Sequence, residues 1–315
     1  MLNSRIPTRS LTQSLIIVVC MLFIAVTTGF SAQRNNSLTS DPIVVILSSE
    51  SKPFQAAAQS CVTTLKSSGH TTRIKLLSSL SEQDLASMQG TVVAIGARAA
   101  QSALKDLPES TKLYYCMVTS PDLIGLTDRP NTAGISSDAN PIEEARLINQ
   151  ASSSFRTIGL FYDSSSASSR SRIKRVQDSL TGSLRLEIVD INAHNSVSDA
   201  IKELLARDID LIWTIPDPAV YKPAMVKSLL IESLKKRIPV YGFSHSIVRA
   251  GSTFGIGIEP TTQGARLSTL INSNATDQHL SPRLSVAINT VVASRIDFKF
   301  NDRFLDNVEK TFGSD

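Results

Sequence analysis

From Ile43 to Phe243 short apolar runs alternate with amphipathic stretches, and this rhythm restricts the possible folds more than any motif. Strands are predicted at Ile43–Leu47, Thr72–Leu77, Thr91–Ile95, Lys112–Val118, Thr157–Tyr162, Arg185–Asp190, Leu211–Ile215 and Pro239–Phe243. Most are continuously apolar and rich in β-branched residues. Helices are predicted at Pro53–Ser67, Glu82–Met88, Arg98–Leu107, Pro141–Ser153, Arg170–Leu180, Val197–Arg207 and Ala219–Lys236. Pro53 suits a first helical turn and Gly69 a stop. An uninterrupted apolar strand must be covered on both faces, which requires parallel sheets flanked by helices: doubly wound α/β architecture. A polar stretch from Pro121 to Asn140, with an apolar island at Ala133–Ile135, divides the alternation into halves of similar size. Two lobes are therefore expected.

Ahead of this pattern, Arg5 and Arg9 precede the uncharged run Leu15–Val26, followed by Thr27, Thr28, Gly29, Phe30, Ser31 and Ala32. A basic start, a short apolar centre and small residues after it predict a signal peptide over residues 1–31, removed after Ser31. The apolar run has about twelve residues, short of the roughly 20 a spanning helix needs. A periplasmic location follows as the expectation. Charge agrees with no nucleic-acid partner: of 32 Lys+Arg against 28 Asp+Glu, Arg5 and Arg9 leave with the leader, giving 30 against 28. No basic stripe is left to dominate a face. Cys20 leaves as well, and Cys61 and Cys116, in an apolar helix face and an apolar strand, are expected to be buried free thiols, with a disulfide in the oxidising compartment as the alternative.

Parallel sheets place their ligands beyond the carboxyl ends of the strands, where the next helices begin. The candidate site residues are therefore Ser49, Gly96, Ala97, Arg98 and Thr119 in the first half, with Tyr162, Asp163, Asp217, Ser244 and His245 in the second. They are mostly small, hydroxylic or singly charged, which suits a small polar molecule. Each has a plainer alternative. Serine and aspartate after a strand cap helices, and Asp217 before Pro218 fits an N-cap with Pro at N1. His245 suits a surface loop, and Trp213, inside an apolar strand, suits the core. Arg98 fits least well as mere structure, because a cation at a helix start opposes the macrodipole. Ser164–Ser171 followed by Arg172, Lys174 and Arg175 reads as a solvated loop entering a charged helix face, with phosphate binding as the alternative.

No catalytic set emerges. His70, His194, His245 and His279 lack metal-ligand spacing, and Gly255-Ile-Gly257 lacks the third glycine of a dinucleotide fingerprint. There is no Walker loop and no G-x-S-x-G elbow. The expectation is a binding protein rather than an enzyme, with no cofactor and no metal; a secreted α/β enzyme is the weaker alternative.

Several ordered pieces resemble the tryptophan/tyrosine-type substrate-binding proteins of ABC importers. They are Ala94–Gln101, Val118–Asp122, Asn131–Asp138, Asp210–Asp217, Ile238–Ser244, Val248–Gly251 and Gly257–Gly264. The resemblance covers about residues 43–300. It implies a type I periplasmic-binding-protein-like fold: two doubly wound parallel-sheet lobes joined by a three-crossing hinge. The crossings are expected near Asp138–Pro141, Ser246–Gly251 and Gln278–Arg283. Lobe 1 would comprise 42–139 plus 252–279, and lobe 2 140–245 plus 280–315. It also implies a monomer that captures a small-molecule, amino-acid-like ligand and docks on an ABC permease; a membrane sensor or histidine kinase is the alternative partner. Asp163-Ser164 stands where the family has an Asn-Pro type start, so the family's ligand is not carried over with the fold.

Overall fold

The computed structural model describes residues 41–180 and 184–313. The predicted leader, residues 1–31, lies outside the described residues. Thirteen strands form two sheets among the described residues.

In the first sheet the strands are β1 (Ile43–Leu47), β2 (Thr72–Leu76), β3 (Thr91–Ile95), β4 (Lys112–Val118), β5 (Thr132–Ser136) and β11 (His279–Leu280). Their order is β11-β5-β4-β3-β1-β2, and every pairing is parallel. The apolar island at Ala133–Ile135 is thus a strand. Helices α1 (Lys52–Ser67), α2 (Glu82–Ala86), α3 (Ala97–Asp106) and α9 (Pro260–Asn272) accompany this sheet. Two apolar layers result, one containing Val45, Cys61, Leu65 and Leu267, the other Ile46, Ala99, Ala103 and Tyr115. Both cysteines are buried free thiols in the first layer, and burial pushes the Cys61 thiol up to about 12.

The second sheet contains β6 (Thr157–Tyr162), β7 (Arg185–Asp190), β8 (Leu211–Trp213), β9 (Val240–Gly242), β10 (Phe254–Gly257), β12 (Ser285–Asn289) and β13 (Val308–Phe312). Its order is β13-β12-β10-β9-β8-β6-β7. Its helices are α4 (Pro141–Ala151), α5 (Ala167–Ser179), α6 (Val197–Ala206), α7 (Pro223–Lys236), α8 (His245–Ala250), α10 (Thr290–Arg295) and α11 (Asp302–Leu305). Trp213 is fully buried here, edge-on to Tyr241, as core rather than a ligand platform.

The chain changes sheets three times. The first crossing follows β5, between Ser136 and Pro141. The second departs from the expected Ser246–Gly251. Phe254–Gly257 pairs with β9 on one side and β12 on the other, so β10 belongs to the second sheet and the crossing falls at residues 258–259. The segment 252–257 accordingly sits in lobe 2. The third crossing lies between Leu280 and Ser285, and β12 enters antiparallel to β10 because the chain arrives from the hinge rather than through a covering helix. Helix α9 returns to lobe 1 against α1, where a Cβ on Gly264 would lie 2.0 Å from the Ala57 carbonyl oxygen. Only glycine permits that approach.

Candidate functional site

The first two crossings leave the carboxyl ends of parallel strands, as does the third after β11. The carboxyl ends of both sheets therefore border the hinge, and the residues just beyond them make up the hinge-facing end, or wall, of each lobe.

On the lobe 1 wall, Gly96 is the N-cap of α3 at φ 94. A Cβ there would stand 2.6 Å from Ser48 Oγ and 2.9 Å from Phe54 Cζ, so the position is closed to any side chain. Ser48 Oγ in turn accepts the Ala99 N–H at 2.9 Å, locking the end of β1 to the first turn of α3. Gly96 and Ala97 are thus a rigid frame, and Arg98 stands exposed beside them with no ion pair among the described residues. Ser49 is half-buried and accepts only a long 3.4 Å bond from Ser51 N–H. Thr119 is exposed between Met117 and Ser120, whose φ values of 60 and 48 put non-glycine residues in the left-handed region. That backbone is held by the Met117 N–H bond to Gln263 Oε1 at 2.9 Å and by the Ser120 N–H bond to the Asp138 carboxylate.

The lobe 2 wall is more committed to itself. Tyr162 is half-buried against the apolar core. Asp163 Oδ1 accepts from Ser165 N–H at 2.8 Å, from Ser165 Oγ at 2.6 Å and from Asn192. The Ser165 hydroxyl, foremost among these donors, holds its carboxyl below the usual range. Ser244 caps α8 through Ile247 N–H and meets Ser246 Oγ at 2.8 Å. His245 does not offer a free nitrogen to the cleft: Nε2 lies 2.9 Å from the Ser285 carbonyl and Nδ1 2.9 Å from Glu259 Oε1. Its ring occupies the space a Cβ on Gly257 would need. It ties the segments flanking the second and third crossings together. Asp217 is 1% exposed, and α7 begins only at Pro223, so it caps no helix. Its Oδ1 accepts the Ala219 N–H at 3.0 Å in a local turn, while Oδ2 is buried with no partner among the described residues.

Sequence reasoning missed a polar cluster at the first crossing. Asp138 joins Ser120 of lobe 1 to Arg172 of lobe 2, whose Nη1 lies 3.7 Å from Asp138 Oδ1. Arg172 is therefore not part of a solvated face. A 30 Å³ cavity beside it is lined by Asp138, Glu144, Arg172 and Arg175 among others. Glu144 is 3% exposed and burial raises its carboxyl to about 7, against the opposing pull of the Tyr241 hydroxyl, which donates to Oε1 at 3.0 Å. The signal for Asp138 was available: it follows β5 as the chosen residues follow their strands. The signal for Glu144 was not, since Glu143 and Glu144 read alike in a helix start.

A family model described as ABC transporter substrate binding protein matches residues 63–302. The chain belongs to that family. Among solved structures, this substrate-binding protein is similar to a ligand-free, open substrate binding protein with adhesive properties from Clostridium difficile. That match has 15% identity and a TM-score of 0.70, covering 87% of this chain and 99% of that one. It is also similar to an ABC domain in complex with L-Trp from Streptococcus pneumonia, at 16% identity and TM-score 0.61, covering 86% of this chain and all of that one. A conserved domain protein from Vibrio cholerae matches at 16% identity and TM-score 0.60, over 86% and 99% of the two chains. At such identities these likenesses establish the fold. No curated protein matches the chain. The two-lobed type I periplasmic-binding-protein architecture follows from these likenesses and the sheet topology, and the role of a substrate-binding protein follows from the family.

Proposed function

We propose that this substrate-binding protein is exported to the periplasm, captures a small zwitterionic, amino-acid-like solute between its lobes and hands it to the permease of an ABC importer. Three inter-lobe crossings at the carboxyl ends of both sheets support the reading, because they let the walls swing about a short hinge and enclose a ligand. Arg98, exposed and unpaired on one wall, can clasp a carboxylate through two parallel bonds. On the other wall, Asp217 Oδ2 is a buried acceptor without a donor, which suits an ammonium. The L-Trp complex of the streptococcal relative agrees with this ligand class.

Thermal-shift screening against amino acids tests capture, since a ligand bound only by the folded state raises the melting temperature. With the ligand found, Arg98→Ala should weaken calorimetric affinity by about 1.5–3 kcal/mol, the worth of a charge-assisted bond. Unchanged affinity would remove Arg98 from the site. Export is tested by mass: the mature protein should begin at Ala32, and Met1 retained in a membrane fraction would overturn it.

A further inference from the structure

The second and third crossings join lobe 2 side by side. Gly257, the last residue of β10, faces Ser285, the first of β12, across their antiparallel ladder. Glu259 lies just beyond, in the second crossing. His245, the first residue of α8, packs its ring against Gly257 so closely that a Cβ there would lie 2.5 Å from ring atoms. The His245 side chain is mostly buried, at 12% exposure.

Both ring nitrogens meet acceptors. Nε2 is 2.9 Å from the Ser285 carbonyl oxygen, which can only accept. Nδ1 is 2.9 Å from Glu259 Oε1. The Lys310 ammonium, bonded to the same oxygen, holds the Glu259 carboxyl below its usual range, and His245 adds to that effect. Glu259 is therefore an ionised acceptor too. A neutral imidazole has one N–H and one lone pair, so it can satisfy only one of the two oxygens. Turning the ring over does not help, because Cδ2 and Cε1 would then face them. Only the imidazolium donates to both.

The other charged groups around the ring are turned elsewhere. Arg249, also on α8, lies over the Phe312 ring at 5.0 Å, and Phe312 meets His245 edge-on. Glu309, the acid of β13, pairs with Arg283 at 3.2 Å. Neither β10 nor β12 carries an ionisable side chain. The start of α8 gives a cation no help, since the helix dipole opposes it. Glu259 is thus the counter-charge of His245 among the described residues.

We propose that His245 is a proton-operated clamp on the hinge. As imidazolium it holds the roots of both crossings to lobe 2, and as neutral imidazole it lets one of them go. Whichever nitrogen keeps its proton, the other then directs a lone pair at an oxygen. The clamp is closed at acid pH and opens as pH rises through the range in which imidazoles lose their charge. A loosened root changes how freely the lobes swing, whatever solute the cleft takes.

Hydrogen exchange of the unliganded protein tests this, followed by NMR at about pH 5.5 and about pH 8.5, either side of the imidazole range. Protection factors divide out the intrinsic pH dependence of exchange. Amides at Phe254 and Ile288, the far end of the same ladder, report opening of the whole lobe. Against that reference, protection at the Gly257–Ser285 end should fall by about tenfold or more at the higher pH, the equivalent of one charge-assisted bond. At the lower pH the His245 ring should show two N–H resonances. Glu259→Gln can donate as well as accept, so a neutral ring keeps both bonds and the pH dependence should vanish. His245→Phe keeps a ring without either donor and should show the weaker protection at both pH values. A single ring N–H at the lower pH would overturn the proposal, as would native protection independent of pH. So would an unchanged pH dependence in Glu259→Gln or His245→Phe, which would assign the titration to another group.

Discussion

Glu144→Gln is expected to change how stability depends on pH. Glu144 is buried in lobe 2, and burial lifts its carboxyl from the ordinary 4.5 to about 7. Below about 4.5 the carboxyl is neutral in both folded and unfolded chains. Between 4.5 and 7 folding takes up a proton, and above 7 the folded state must hold a buried charge. The stability contribution is therefore fully present below about 4.5 and lost as pH rises through about 7. A shift of that size corresponds to about 3 kcal/mol. Glu144 lies in the first turn of α4, where the helix dipole favours an anion, which trims the expected effect to about 2–3 kcal/mol. Glutamine imitates the protonated carboxyl and keeps an oxygen for the Tyr241 hydroxyl. Urea denaturation followed by the fluorescence of Trp213, the single tryptophan, reads the stability of both proteins from pH 4.5 to 8. Other titrating groups cancel in the difference. The variant should gain on the native protein by about 2–3 kcal/mol between the two ends of that range. A difference independent of pH would refute the reasoning, because it would mean that the carboxyl keeps one ionisation state throughout.

Gly264→Ala should destabilise by about 1–3 kcal/mol in urea, because its methyl would overlap the Ala57 carbonyl between α1 and α9. Asp217→Asn should change stability little, since the Ala219 bond survives and Oδ2 has no partner to lose among the described residues, yet it should weaken a zwitterionic ligand in calorimetry. Cys61 and Cys116 should resist alkylation in the folded protein and react once it is unfolded, as peptide mass spectrometry can show, because burial raises both thiols.

The alternation of apolar runs with amphipathic helices carried most of the architecture, because continuously apolar strands leave parallel, doubly covered sheets as the stable arrangement. Element type and order from Ile43 to Phe243 were legible for that reason, and the short strand β5 was visible as an island. Strand ends were legible too, since topology alone puts Arg98 and Thr119 beside the hinge. What became of the other chosen side chains depended on distant neighbours. Asp163 is engaged by Asn192, and His245 by Ser285 and Glu259, each met only through the folded chain. The same holds for the second crossing: Phe254–Gly257 is apolar enough for either sheet, and its pairing with β9 and β12 placed it in lobe 2. Glu144 shows the limit most clearly. Local sequence makes it an ordinary helix-start acid like Glu143, and only the packing of α4 over Tyr241 and Trp213 removes its water and raises its carboxyl to about 7. Periodicity and strand order are properties of neighbouring residues along the chain, whereas desolvation and hydrogen-bond saturation are properties of neighbours in space.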